Sequence, residues 1–265
     1  MDKQNDQSKN AEPLSLLSEV VSQWGRKIKR ICPDCGEEFD AVDLGKATRW
    51  YCGKCAIERM AKEEQVMAQQ AEADKEARYQ AMIRQASLPP MWQEVTFRTS
   101  DATLYPQAFK RIRDYAEKFT VKSPSLVLYS PDKGTGKTHM AACIANHVLH
   151  QYRYSVLYKK ARDLMLDIRR TFSDRGDNEA DILDRVLSVK LLVLDDVGMD
   201  TPSEWIKSTY WTVFDRRLEW QLPVVVTTNR QVEGDLEQYI GEGAVSRLIG
   251  LSRGNVIDMS GEDLR

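Results

Sequence analysis

From residue 88 onward, short apolar runs alternate with longer stretches of helical pattern. The short runs at 126–129, 155–158, 191–195, 223–227 and 255–259 are rich in Val, Leu, Ile and Tyr, and predict strands. The stretches at 138–150, 162–171, 179–187, 204–220 and 244–251 predict helices. This alternation predicts an α/β domain over 88–265, a parallel sheet flanked by helices. Upstream the pattern changes twice. Residues 1–60 form an N-terminal segment. Its first 23 residues are polar and then apolar at Leu14, Leu16, Leu17, Val20 and Val21, the spacing of a short amphipathic helix. Its remainder is rich in Cys, Gly and charge, with no long apolar run. Residues 61–87 are rich in Ala, Glu, Lys and Gln and free of Gly and Pro, which predicts a solvated connector helix. Leu88-Pro89-Pro90 ends it, because the residue before a proline is pushed out of the α region. No internal repeat or low-complexity tract is visible.

Composition narrows the class. The chain has 265 residues, 42% hydrophobic and 29% charged, as in soluble globular proteins. Its net charge of −2 gives no global attraction to nucleic acid, so any such contact must come from local patches. No apolar run approaches the roughly 18–20 residues that span a bilayer, and the first ten residues lack a signal-peptide apolar core. The expectation is a cytoplasmic protein with no membrane partner.

Three motifs follow three of the strands. The loop Ser130–Met140 reads SPDKGTGKTHM between a strand and a helix, as a phosphate cradle requires. Gly134 and Gly136 let backbone amides turn inward, together with Lys133 and Thr135, and the helix N-terminus adds positive potential. Lys137 would reach the β- and γ-phosphates of ATP, and the Thr138 hydroxyl would ligate Mg²⁺. Pro131 stands where the G-x-x-x-x-G-K-[ST] pattern has glycine, which removes an amide and fixes φ near −65°. The second motif is Leu191-Leu192-Val193-Leu194-Asp195-Asp196. Asp195 would hold Mg²⁺ and Asp196 would polarise the attacking water. An isolated acidic pair there would equally suit a helix-capping turn. The third, Val224-Val225-Val226-Thr227-Thr228-Asn229, places Asn229 where it could orient that water or serve a β-turn.

Together GTGKT, LLVLDD, TTN and the Ser246-Arg247-Leu248 segment resemble the AAA+ ATPases. Within them the chain is similar to the DnaC/IstB group of replicative-helicase loaders and transposition helper ATPases. Leu88-Pro89-Pro90 followed by Phe97, the aromatic stretch 205–220 and the GNVIDMSGEDLR ending carry that likeness over 88–265. The resemblance implies that Asn229 is the sensor-1 residue and that Arg247 is an arginine finger reaching ATP on an adjacent subunit. It therefore implies self-association with ATP at subunit interfaces, and an ATPase domain without a C-terminal lid. It also points to Arg169, Arg170 and Arg175 as contacts for single-stranded DNA, although solvated helix charges have the same pattern.

Cys32-Pro33-Asp34-Cys35 and Cys52-Gly53-Lys54-Cys55 have the spacing of a zinc ribbon, with four thiolates leaving no open position on the metal. A pair of redox dithiols is the alternative. Cys143 reads as core, and His139, His147 and His150 are assigned no metal. Arg26, Lys27, Lys29, Arg30, Lys46, Arg49, Trp50 and Tyr51 could grip a nucleic-acid backbone. Acidic Asp34, Glu37, Glu38, Asp40 and Asp43 mix the patch, and the resemblance favours docking on a helicase. Three functions stay in view. One is ATP-dependent loading of a hexameric replicative helicase onto single-stranded DNA, with hydrolysis as the assembly and release switch. Another is transposase activation on duplex DNA. The last is a non-catalytic nucleotide-binding adaptor.

Overall fold

The computed structural model describes residues 26–171 and 179–264, apart from 45, 47 and 49. The amphipathic helix expected within 1–23, Arg49 and Arg175 lie outside the described residues. The chain forms two compact units, Met1–Glu76 and Ala77–Arg265.

The first unit is built on an antiparallel hairpin of β1 (Arg26–Ile31) and β2 (Glu38–Asp43), paired from Arg26↔Asp43 to Ile31↔Glu38. Between them Cys32 N–H donates to Glu37 O at 2.8 Å and Gly36 N–H to Cys32 O at 2.8 Å, closing a tight knuckle. Gly36 has φ +74°, a left-handed conformation that costs glycine little. Helix α1 (Gly53–Gln85) starts inside the second cysteine pair, eight residues before the connector pattern begins. Its first turn carries Cys55, the only buried residue of the helix. The helix therefore begins at a thiol site that alanine-rich composition does not signal.

The second unit opens with the end of α1 and a 3₁₀ turn at Pro90–Trp92. It continues with α2 (Pro106–Glu117), β3 (Leu126–Tyr129), α3 (Lys137–Gln151), β4 (Val156–Lys160), α4 (Ala161–Thr171) and α5 (Glu179–Ser188). Then come β5 (Leu191–Asp195), α6 (Glu204–Glu219), β6 (Val224–Thr228), α7 (Asp235–Ile240), α8 (Glu242–Ser252) and β7 (Val256–Asp258). The five strands form one sheet in the order β4-β5-β6-β3-β7, every pair parallel. All five predicted strands are present, each within two residues of its expected ends.

Alternate strand residues divide between two cores, as the pleat requires. Val127, Leu192, Leu194, Val224 and Val226 pack with Ile168 of α4, Phe214 of α6 and Leu248 of α8. Leu126, Leu128, Leu191, Val193 and Val225 face the other way, against Ile144 of α3 and Ile112 of α2. With both faces covered, the strands must read as continuous apolar runs. The polar residues at their carboxyl ends are the exceptions, and they converge.

Candidate functional site

The carboxyl ends of β3, β5 and β6 open into a cleft of about 740 Å³. Residues 133–138, Asp195, Asp196 and Asn229 line one part of it; Trp92, Ser100, Tyr105, His139 and Met259 line another. Such crevices beyond parallel strand ends are where α/β sheets bind ligands.

The loop after β3 turns through Gly134 at φ +74° and Gly136 at φ +84°, and Gly136 caps α3 by accepting from Met140 N–H at 2.9 Å. Lys137, the first residue of α3, is only 7% exposed. Its Nζ donates to Asp132 O at 2.9 Å and to Ser130 O at 3.4 Å. Burial lowers its pKa, and Asp196, Asp132 and Asp195 oppose that fall. The Asn229 amide donates to Asp132 O at 2.9 Å and to Pro131 O at 3.5 Å, so the end of β6 braces the half-loop that carries the proline.

Asp195 is fully buried, with both carboxylate oxygens engaged. Its Oδ1 accepts from Thr138 Oγ1 at 2.9 Å and Thr227 Oγ1 at 2.6 Å, and its Oδ2 accepts from Tyr158 Oη at 2.7 Å. A carboxylate held beside a threonine hydroxyl at a helix N-terminus is the hard-oxygen donor set that suits Mg²⁺. Asp196 follows in a left-handed conformation, φ +59°, its N–H donating to Thr227 Oγ1 at 2.8 Å. Burial and the neighbouring charge of Asp195 raise its pKa; Lys160 and Lys137 pull it partly back. Thr227 thus links both aspartates, and Tyr158 orients one. Neither was singled out in the sequence: Thr227 lies near the end of the β6 run, and Tyr158 reads as one of the strand-forming residues of β4.

Arg247 does not line this cleft. It sits on α8, half-buried, with Nε donating to Asp215 Oδ1 of α6 at 2.5 Å. Arg169 lies over the Trp205 ring at 5.1 Å, and Arg170 pairs with Asp167 at 3.8 Å. Cys143 is buried, as core packing requires, and the Ser100 hydroxyl lies 3.4 Å from its sulfur. His139 Nε2 shares a hydrogen bond of 2.7 Å with the same hydroxyl, and burial lowers the pKa of His139. Tyr79 Oη is hydrogen-bonded to His150 Nδ1, and the His147 ring packs edge-on against Tyr152.

In the first unit the sulfurs of Cys32, Cys35, Cys52 and Cys55 all lie within 4.8 Å of one another, and Cys35 Sγ is 3.6 Å from Cys52 Sγ. The edges of a tetrahedral zinc–thiolate shell are about 3.8 Å, so this cluster could hold a metal ion. Burial opposes ionisation of Cys32, but hydrogen bonds at Cys52, Cys35 and Asp34 outweigh it and bring the thiol down to about 6. Asp34 is held in turn by Arg59, through Nε at 2.5 Å and Nη2 at 2.8 Å. Arg30 lies over the Trp50 ring at 4.2 Å, and Lys29 pairs with Asp40 at 3.1 Å. Part of the basic patch is thereby neutralised within the unit.

A parallel sheet with a phosphate loop after its first strand, an acidic pair after its third and an asparagine after its fourth defines an AAA+ P-loop domain. The sequence model of the family described as IstB-like ATP binding protein matches residues 47–253, and the chain belongs to that family. The replicative helicase loader DnaC of Escherichia coli strain K12 is 30% identical over 171 residues, which covers 64% of this chain and 69% of the relative. The crystal structure of the DnaC helicase loader superposes with a TM-score of 0.56 at 19% identity, over 66% of this chain and all of that one. The replication initiator DnaA bound to AMPPCP and single-stranded DNA gives a TM-score of 0.55 at 20% identity, over 66% and 52% of the two chains. These two superpositions establish the fold. Among the described residues, no helix is long and apolar enough to cross a membrane.

Proposed function

We propose that this protein hydrolyses ATP with Mg²⁺ and uses the cycle to load a hexameric replicative helicase onto single-stranded DNA in the cytoplasm. The observation that carries this reading is the 30% identity to a replicative helicase loader across 69% of that protein. The family description favours a second reading, a transposition helper that assembles on duplex DNA.

In either case residues 133–138 and the α3 N-terminus would cradle the phosphates, with Lys137 on the β- and γ-oxygens. Bound Mg²⁺ would supply charge neutralisation, and Thr138 and Asp195 are the residues that would hold it. Asp196 would accept the proton of the attacking water, and Asn229 would orient that water. Arg247 would complete the site of a neighbouring copy; its absence from the lining of its own cleft supports that role. Zinc on the four cysteines would hold the hairpin unit together. Residues 1–60 and the connector 61–87 would offer the helicase its docking surface, with 88–265 as the ATPase domain. Arg169 and Arg170 would meet the DNA.

Purified full-length protein tests the choice. Retention of a replicative helicase, with ATPase stimulated by single-stranded more than duplex DNA, is the expected result. Retention of a transposase instead, with duplex preference, overturns the loader reading.

A further inference from the structure

The chain does not leave the cleft after β7. Met259 N–H donates to Tyr129 O at 2.7 Å, which prolongs the edge pairing. Ser260 N–H then turns onto Asp258 Oδ1 at 2.7 Å, and the following residues run along the phosphate loop. Gly261 N–H donates to Asp132 Oδ2 at 3.2 Å, and Leu264 N–H donates to Gly134 O at 3.0 Å. The opposite wall holds the same segment, because Tyr105 Oη donates to Glu262 O at 2.9 Å. A Cβ on Gly261 would lie 2.6 Å from the Tyr105 ring, so a side chain there would have to displace that ring. The Leu264 side chain lines the cleft, 3.8 Å from where a Cβ on Gly136 would stand.

One of these bonds acts on the phosphate-binding amides. A trans peptide directs its C=O and the following N–H to opposite sides. With the Gly134 carbonyl turned to Leu264, the Thr135 N–H is turned the other way, into the loop. Pro131 has already removed one amide from this loop, so the remaining ones would carry the contact with a bound phosphate. The side chain of Asn229 and the Gly261 N–H both hold Asp132, while the Leu264 N–H holds Gly134.

We infer that Gly261–Leu264 is a positioning segment for the phosphate loop, fixing the Gly134–Thr135 peptide with its N–H presented to the nucleotide. This rests on the reading that the cleft binds ATP. Losing the brace lets that peptide rotate, which weakens ATP binding about five- to tenfold, the net worth of one typical hydrogen bond. The turnover number changes less, because Lys137 and Asp196 keep their own partners.

The test compares three variants of the full chain by titration with a fluorescent ATP analogue and by steady-state kinetics. Leu264→Pro deletes the N–H and keeps an apolar side chain. Leu264→Ala keeps the N–H. Removal of residues 261–265 deletes the whole brace. The expected result is a five- to tenfold rise in Kd and KM for Leu264→Pro and the deletion, with less than about twofold for Leu264→Ala. Wild-type affinity in both Leu264→Pro and the deletion overturns the inference, as does an equal loss in Leu264→Ala. A wild-type protein that binds no more analogue than Lys137→Ala does overturns the ATP reading itself, and the inference with it.

Discussion

Asp196 occupies left-handed backbone space at φ +59°, where a non-glycine residue is strained, and its carboxyl is pushed above the usual carboxylate range. The causes are burial and the adjacent charge of Asp195. A carboxyl with a raised folded pKa contributes stability while protonated, and that contribution is lost as pH rises through the folded value. Ionising Asp196 therefore costs the folded chain more than the unfolded one. Asp196→Asn should raise the melting temperature at pH 7, and the difference should shrink as pH falls toward ordinary carboxylate values. The same change should lower kcat at least about 100-fold while leaving ATP affinity near wild type, since a general base contributes 10²–10⁴. In the wild type, the acid limb of the kcat profile should lie above the normal carboxylate pKa. An Asn variant that turns over normally would show that another group takes the proton. Sequence spacing made Asp196 a candidate, but the Thr227 hydroxyl that pins its amide was legible only as a polar intruder in an apolar strand.

At the scale of elements, what the sequence revealed follows from what the sheet buries. Strands covered on both faces must be apolar throughout, so β3, β5 and β6 were visible as runs. The hairpin β1–β2 was not, because Ala41 is its only buried residue and its Phe39 packs on the adjoining thiols. α7 is too short, at six residues, to display a helical period. α2 was readable from Phe109, Ile112 and Ala116 behind Pro106 at the first turn, and was not recognised. In α6 the buried stripe Tyr210, Val213, Phe214 continues to Arg217, a charge where the period demands an apolar side chain. Arg217 is fully buried, yet no carboxylate pairs with it among the described residues. Its Nη1 donates to Val186 O at 2.6 Å, and Nη2 donates to Val189 O at 3.2 Å and Pro223 O at 2.8 Å. It thus satisfies carbonyls at the end of α5 and joins them to the start of β6. Arg217→Met would fill the volume, orphan the Val186 and Val189 carbonyls and leave Pro223 O with the Leu192 N–H at 3.3 Å, at a cost of about 3 kcal/mol. Urea denaturation should show that loss, and an unchanged midpoint would mean that water replaces the guanidinium without penalty.

At the scale of the whole molecule, two sets of residues that the sequence linked as one site are separate in the chain. The phosphate loop, both aspartates and Asn229 share a cleft, whereas Arg247 lies outside it and pairs with Asp215. Among the described residues Nε of Arg247 is the atom bonded to Asp215, and the terminal nitrogens would be the ones to meet an anion on another chain. The resemblance assigns Arg247 to the ATP of an adjacent subunit, a role that one chain cannot display. Subunit mixing decides the point. Lys137→Ala keeps Arg247 but cannot hold ATP, and Arg247→Ala keeps the cleft but lacks the finger. Each protein alone should lose turnover at least about 100-fold, given the 10³–10⁵ attributed to arginine fingers. In an equimolar mixture, some clefts with Lys137 would sit against neighbours with Arg247, and turnover should recover to a substantial fraction of wild type. No recovery, with both variants shown to co-assemble, would place Arg247 on its own chain's nucleotide or remove it from the reaction. The mixture thus separates a site completed by assembly from one that each chain completes alone.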